Sequence, residues 1–389
     1  MSFVESPERV ALRAVVRDLG RRYGYDYYAR VSRAGEHADE LWAEAGKLGF
    51  LGVNLPTEHG GGGAGLYELS IVLEELGAAG CGLLMMVVSP AICGTVVTRF
   101  GTAEQQARWL PGLADGSRVM AFGITEPDAG SNSHNITTTA RPDGTGDRRG
   151  WRLSGRKVYV SGVDGADDVM IVARTQDERT GRLRPALFVV PTDAPGFEHR
   201  AIEMELLAPE RQFVLFLDDV ALPADALVGS PDAGLAQLFA GLNPERVMAA
   251  AFALGTARYA LDKAVAYAKE RQVWSVPIGA HQGIAHPLAQ VKVEVELARL
   301  MMQKAATLVD EGLDDAAGEA ANMAKYAAGE AGARAVDQAV QTLGGNGLSS
   351  EYGVAGLLTL SRVGRVAPVS REMILNFVAQ TSLGLPRSY

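Results

Sequence analysis

Hydrophobic periodicity changes twice along the 389-residue chain, and that order constrains the fold more than any single motif. Over the first 118 residues the apolar spacing is helical almost throughout; in 38–49, for example, Leu41, Trp42, Ala45 and Leu48 share one face. Leu55-Pro56 and the glycines at 60–63 interrupt it, a helix restarts near Tyr67, and Thr102 is placed to cap another that ends at Gly112 or Gly116. From about 119 to 227 the pattern becomes short β-branched runs, at 158–160, 168–173, 186–190 and 213–217. The polar stretches 141–150 and 175–184 read as exposed loops, the first of them a hairpin loop. Long helical periods return over 244–272, 284–311 and 314–343, with a last segment at 369–381, and the alanine-rich 314–343 favours close helix approach. Helices, then strands, then helices exclude an alternating βαβ nucleotide-binding fold. The expected class is α+β multidomain: an N-terminal helical domain over 1–118, a central β-barrel-like domain over 119–229 and a C-terminal four-helix bundle over 230–389.

Charge and cysteine usage remove several functions. Thirty-seven Lys and Arg against 46 Asp and Glu leave a net charge of -9, so no basic excess exists for a nucleic acid backbone or an anionic membrane surface. Cys81 and Cys93 are too few for a disulfide framework or a four-ligand metal site, and the opening MSFVESPERV lacks the basic and apolar regions of a secretion signal. Both observations point to the cytoplasm. Residues 76–98 carry no formal charge over 23 positions, a length that would span a bilayer. Four glycines and Ser89-Pro90 interrupt that run, so it reads as two shorter buried helices meeting at a turn. The six histidines form no HExxH, His281 and His286 do not share a helix face, and neither GxSxG nor a GKS/GKT phosphate loop is present, so metal, hydrolase and nucleotidase chemistry lose support.

Two segments concentrate small and hydroxyl-bearing residues. ITEPDAGS at 124–131 has the composition of a turn, and GGNG at 344–347 that of a helix C-cap, although a glycine cluster also lets a pyrophosphate approach backbone amides. Taken with LPTEHGGGGAG at 55–65, GTAEQQARWLPGLADG at 101–116, LSGRKVYVSG at 153–162, ERQVWSVPIGAHQGIAHPLA at 270–289 and QTLGGNGLSSEY at 341–352, they resemble the acyl-CoA dehydrogenase family of flavoproteins over nearly the whole chain.

The resemblance implies FAD as cofactor. Its ring would rest on the β domain against Phe122, Ile124, Thr125, Gly130 and Ser131 and against Tyr159 and Ser161 of a second strand; Ser161 matches a family threonine at the flavin N5 edge, and Tyr159 replaces a frequent tryptophan while keeping an aromatic plane. The far half would be held by Arg271, Trp274, Gln282, Gln341, Gly344, Gly345 and Gly347 of a second subunit, with Ser370 and Glu372 also at the cofactor, which implies a homodimer or homotetramer. Arg271 suits a pyrophosphate because its fork donates two hydrogen bonds. Asn132 stands where the family commonly has aspartate.

The implied reaction is α,β-dehydrogenation of an acyl thioester, carried by coenzyme A or an acyl carrier protein, with a glutamate as base and electrons passing to an acceptor such as an electron-transfer flavoprotein. At the commoner family position for that base stands Pro368, which also lacks the N–H that would support the thioester oxygen. The alternative position, at the start of the first long C-terminal helix, holds Glu245 followed by Arg246. Arg246 and Ser131 would contact substrate. Asn243 as N-cap, Pro244 at N1 and an acidic N2 are also what a stable helix start prefers, so capping and catalysis both stand as readings of Glu245. The absence of a glutamate at the other base position favours catalysis. Two rivals follow from Pro368: a flavin monooxygenase or oxidase on the same fold, and a non-catalytic partner subunit.

Overall fold

Ser6 opens the first helix by accepting a hydrogen bond from the Arg9 N–H, with Pro7 in the first turn where its missing N–H costs nothing. In a computed structural model that describes residues 4–144, 150–176, 181–229 and 234–387, α1 (Pro7–Ala34) is followed by α2 (Asp39–Lys47) and α3 (Leu66–Ala78). The first two backbone N–H groups of α3 are capped from far along the chain: Asp310 accepts from Leu66 and Tyr67 at 2.7 and 3.1 Å.

The uncharged run 76–98 is two helical pieces, as its pattern suggests, but the break lies at 79–84 rather than at Ser89-Pro90. Gly80 turns the chain there at φ +87°, where a Cβ would stand 2.8 Å from Tyr25 Cβ. Pro90 sits inside a π-wound segment, Val87–Gly94, that runs directly into α4 (Thr95–Phe100), and the wider winding accommodates the missing N–H. Thr102 and Gln105 cap α5 (Ala103–Asp115) reciprocally, and of the two candidate stops the helix uses Gly116, in the left-handed conformation.

The central sheet contains β1 (Met120–Gly123), β2 (Thr139–Asp143), β3 (Gly150–Ser161), β4 (Asp168–Gln176), β5 (Leu183–Pro191), β6 (Phe197–Ile202), β7 (Gln212–Pro223) and β8 (Leu227–Val228). Strand order is β6-β7-β3-β2-β4-β5-β8, with β1 parallel to β4. The barrel-like expectation is corrected: β6 pairs only with β7 and the two-residue β8 only with β5, so among the described residues the sheet stays open. Alternating burial along most of β7 and the continuous burial through β4 and the middle of β5 match a sheet covered on one flank and sandwiched at its centre. Asp143 pairs with Gly150 at the base of the anticipated hairpin, whose residues 145–149 lie outside those described. The second expected loop is shorter than its composition suggests, because the ladder continues to Thr175–Arg184 and Gln176–Leu183; residues 177–180 again lie outside the described set.

The C-terminal part comprises α6 (Gly234–Glu270), the hairpin β9 (Gln272–Val273) and β10 (Val276–Pro277), α7 (Gln282–Asp310), α8 (Asp314–Leu343), α9 (Leu357–Val366) and α10 (Arg371–Phe377). Three long helices pack as expected, while the fourth bundle position is divided between α9, which the apolar pattern did not reveal, and α10. α6 also begins well before Pro244. It packs against α3 through Gly77 and Gly255, where a Cβ on Gly255 would lie 2.7 Å from the Glu74 carbonyl. Arg13, Arg258 and Arg299 converge on the buried carboxylates of Glu74 and Glu75 beside this contact, joining the N-terminal helices to the bundle. Among the described residues no helix is long and apolar enough to cross a membrane.

Candidate active site

Strict alternation along β3 would put Lys157 and Tyr159 on the same face. Instead Lys157 is fully buried and the Tyr159 ring is 61% exposed. The register against β7 shifts between Lys157 and Val160, and Tyr159 takes φ +56°, so a bulge turns the aromatic ring outward. Lys157 Nζ donates to the Ile124 carbonyl at 3.0 Å and to Glu126 Oε1 at 2.8 Å. Glu126 also accepts from Thr137 N–H, Thr137 Oγ1 and Thr138 N–H. Burial works to raise the Glu126 carboxyl, but these donors outweigh it and hold it down at about 2.

This buried ion pair clips ITEPDAGS onto β3, and a Val158 N–H to Thr125 carbonyl bond of 2.9 Å closes the clip. The clip brings Ile124 and Thr125 against the Lys157–Val158 stretch of β3; Phe122, Ile124, Thr125 and Ser161 are half-buried, and Tyr159, Gly130 and Ser131 are exposed. Ser161 Oγ is hydrogen-bonded to Gln212 Nε2 at 2.9 Å. Glu126 and Lys157 were not among the residues singled out from sequence. Within a turn-like motif and a strand, nothing marked them as facing each other.

The second group gathers at one end of α6 and α8. Arg271 and Gln282 are exposed, and Trp274, 85% exposed, tops the β9–β10 hairpin in a two-residue turn with φ +50° at Trp274 and +73° at Ser275. The Tyr267 carbonyl accepts from Arg271 N–H at 2.9 Å, and Tyr267 Oη accepts from Asn346 Nδ2 at 3.1 Å, which seats the 344–348 turn beside Arg271. The glycines of that turn differ. A Cβ on Gly344 or Gly345 would meet nothing within 4 Å, whereas on Gly347 it would lie 2.4 Å from the Val340 carbonyl. Packing requires Gly347 and a left-handed φ of +61° requires Gly344, whereas nothing in the chain's own conformation or packing requires Gly345. Gln341 is exposed at the end of α8.

Glu245 resolves differently from the helix-start reading. α6 is continuous through Pro244, so Asn243 caps nothing; its Oδ1 accepts from Arg246 Nη1 at 3.2 Å, and the Leu242 carbonyl accepts from the same nitrogen at 3.0 Å. Away from a helix N-terminus, the dipole that would keep the carboxylate ionised is absent. Burial pushes the Glu245 carboxyl up to about 7 against the opposing pull of Arg246 and Lys325. Burial, and after it the charge of Glu245, pushes up the thiol of Cys93, which lies in the π-wound segment Val87–Gly94 packed against α6.

Lys325 was missed from sequence, although a signal existed: it lies four residues after Ala321 and three before Ala328 on the buried alanine face of α8. Its Nζ donates to the Val369 carbonyl, next to Pro368. Ser370 caps α10 by accepting from Met373 N–H, and Glu372 is exposed and paired with Arg371 at 2.6 Å. Among the described residues no group of three or more His, Cys, Asp or Glu side chains could hold a metal.

Three family profiles match in order: "Acyl-CoA dehydrogenase, N-terminal domain" over residues 6–117, "middle domain" over 121–213 and "C-terminal domain" over 232–383. The chain is 67% identical over 388 residues to acyl-CoA dehydrogenase FadE12 of Mycobacterium tuberculosis, covering 100% of this chain and 99% of that relative. Among solved structures it is similar to a glutaryl-coenzyme A dehydrogenase in complex with glutaryl-CoA (TM-score 0.91, 31% identity, 100% and 98% of the two chains). It is also similar to butyryl-CoA dehydrogenase from Megasphaera elsdenii (TM-score 0.88, 27% identity, 96% and 98%).

Proposed function

The chain belongs to the acyl-CoA dehydrogenase family, oxidoreductases acting on CH–CH donors, and on that premise we propose that it α,β-dehydrogenates an acyl thioester with Glu245 as the base. The cofactor is FAD, and the residues present fit it. The bulge at Tyr159 offers an exposed aromatic plane beside Thr125 and Ser161, and Gly344 and Gly345 leave backbone open where a Cβ would touch nothing of the chain itself. When bound, FAD accepts the hydride from the β carbon of the thioester at its N5.

Everything else falls to the chain. Phe122, Ile124, Thr125, Gly130, Tyr159 and Ser161 seat the ring. Arg271, Trp274, Gln282, Gln341, Gly344 and Gly345 take the distal half of a cofactor shared with a second subunit, in a homodimer or homotetramer. Ser131 and Arg246 bind the thioester, and the Val369 N–H next to Pro368 is the available donor for its oxygen. Glu245 removes the α proton. A carboxyl that titrates near pH 7 is a far stronger base than an ordinary glutamate yet remains substantially ionised at neutral pH, which is the compromise general-base catalysis needs. Electrons then leave to a separate acceptor such as an electron-transfer flavoprotein.

The single observation that carries the reading is Glu245: a partly buried carboxylate in the interior of a helix, with its proton affinity raised and its capping role removed. The test is anaerobic titration of the purified flavoprotein with short, branched, medium and long acyl-CoA thioesters while the flavin absorbance is followed. One member should bleach the flavin, and E245Q should retain the flavin and lose the bleaching. An E245Q variant reduced at the unaltered rate would remove Glu245 from the reaction. A flavin reduced by dithionite but by no CoA thioester would move the reading to a carrier-protein substrate or to oxygen-using chemistry.

A further inference from the structure

A fully buried lysine is costly unless its charge has work to do, and Lys325 is 1% exposed in the middle of α8. Its Nζ reaches the carbonyl of Val369, in the segment between α9 and α10 that carries Pro368. α8 lies along α6 here, a Cβ on Gly318 standing 3.7 Å from Asn243 and one on Gly332 3.2 Å from the Ala253 carbonyl. Lys325, midway between them, therefore faces the turn of α6 that carries Arg246, whose like charge opposes it, and Glu245, whose charge favours it. The remaining charges that face it are Glu330 on its own helix and Glu372 on α10. Both already have cations of their own: Glu330 pairs with Arg365 at 2.8 Å and Arg371 at 3.4 Å, and Glu372 with Arg371. Arg246 is committed through Nη1 to Leu242 and Asn243, and its buried Nε has no partner. Among the described residues no ion pair engages the Glu245 carboxylate, so Lys325 and Arg246 act on it through space rather than by direct contact.

We propose that Lys325 is a positioning residue for the proton-transfer site: one buried ammonium both tethers the Val369 carbonyl, fixing the segment that carries Pro368, and holds a positive charge beside Glu245. The inference rests on Glu245 being the base. Its physical content is a division of labour. Proline at 368 leaves this segment one backbone donor fewer, and the Lys325 hydrogen bond anchors the next residue at its carbonyl. The same charge limits how far burial raises the Glu245 carboxyl, keeping the base ionised in the neutral range.

The test compares K325M, K325Q and K325R in the flavin-loaded protein. K325M removes charge and tether while keeping the chain length, K325Q removes charge but leaves a neutral donor in case the methionine variant does not fold, and K325R restores charge. Carboxyl-labelled glutamate is followed by carbon NMR across pH, with E245Q identifying the Glu245 resonance. In K325M and K325Q the Glu245 midpoint should rise by about one pH unit or more, a tenfold gain in proton affinity from losing one nearby positive charge, while K325R should titrate close to the native protein. Amide exchange around Val369 should quicken in K325M and not in K325R. An unmoved Glu245 midpoint in the charge-free variants, or a K325R midpoint displaced as far as that of K325M, overturns the proposal. The pH dependence of flavin reduction by the active thioester separates the two levels: a Glu245 midpoint that moves without the reduction profile moving leaves Lys325 in place and rejects Glu245 as base.

Discussion

Replacing Glu245 with glutamine should make the protein more stable, and the gain should depend on pH in a way that no ordinary surface substitution reproduces. Folding raises this carboxyl from 4.5 to about 7, so the folded chain holds the proton more tightly than the unfolded one. A group raised in this direction contributes nothing unfavourable below the unfolded value and weakens the fold as pH climbs from 4.5 toward 7, after which the cost is constant. A shift of that size corresponds to about 3 kcal/mol at full ionisation. Integrated over the titration, the cost is about 1 kcal/mol at pH 5 and about 3 kcal/mol at pH 8. Glutamine keeps the shape and carries no charge, so E245Q should gain about 2 kcal/mol more at pH 8 than at pH 5. Denaturant unfolding of native and E245Q flavoprotein at the two pH values, at matched ionic strength, measures this difference. Equal effects at both pH values, or a loss of stability at pH 8, would refute the claim that a destabilised carboxylate is stored in α6.

Flavin reduction by the active thioester should accelerate as pH rises through about 7, following one ionisation, because Glu245 must be unprotonated to act; a profile flat from pH 6 to 8 would contradict this. Lys157→Met should destabilise the β domain by about 3–5 kcal/mol by stranding the Glu126 carboxylate, with E126Q in the same chain recovering part of the loss in denaturant unfolding. Because Glu126 is held near 2, its stabilising contribution is full above pH 4.5 and disappears as pH falls through 2. The two glycine positions should separate: Gly347→Ala should lower stability by about 1–3 kcal/mol through the Val340 clash, whereas Gly345→Ala should leave the fold intact and lower FAD retention. Arg271→Ala should weaken FAD about 10- to 100-fold in equilibrium binding, as expected for losing charge-assisted hydrogen bonds to a pyrophosphate.

Long apolar periods and strong caps were legible because they depend on neighbours close in sequence. The helix of 314–343 is bounded by its own alanines, acidic first turn and terminal glycine, and Thr102 with Gln105 needs nothing beyond its own turn. The motifs around Thr125, Tyr159, Arg271 and Gly344 read by composition as turns, a strand and a helix cap, and took on a site role only through the resemblance of the whole ordered set to the family. Where a local signal had two solutions, long-range packing chose between them. Asn243-Pro244-Glu245 is a good helix start by propensity, yet α6 begins at Gly234, so a residue that composition reads as a cap becomes a candidate base. The bulge that turns Tyr159 outward and Lys157 inward depends on register with β7, more than fifty residues away. Lys325, Glu126 and Asp310 take their roles from partners 44, 31 and 244 residues distant, at Val369, Lys157 and Leu66. Sequence by itself determined the order of helical and β segments and the chemical inventory of the chain. Only the tertiary structure decided which of those groups are desolvated and which charges face each other, because both burial and Coulomb energy depend on distance through space rather than along the chain.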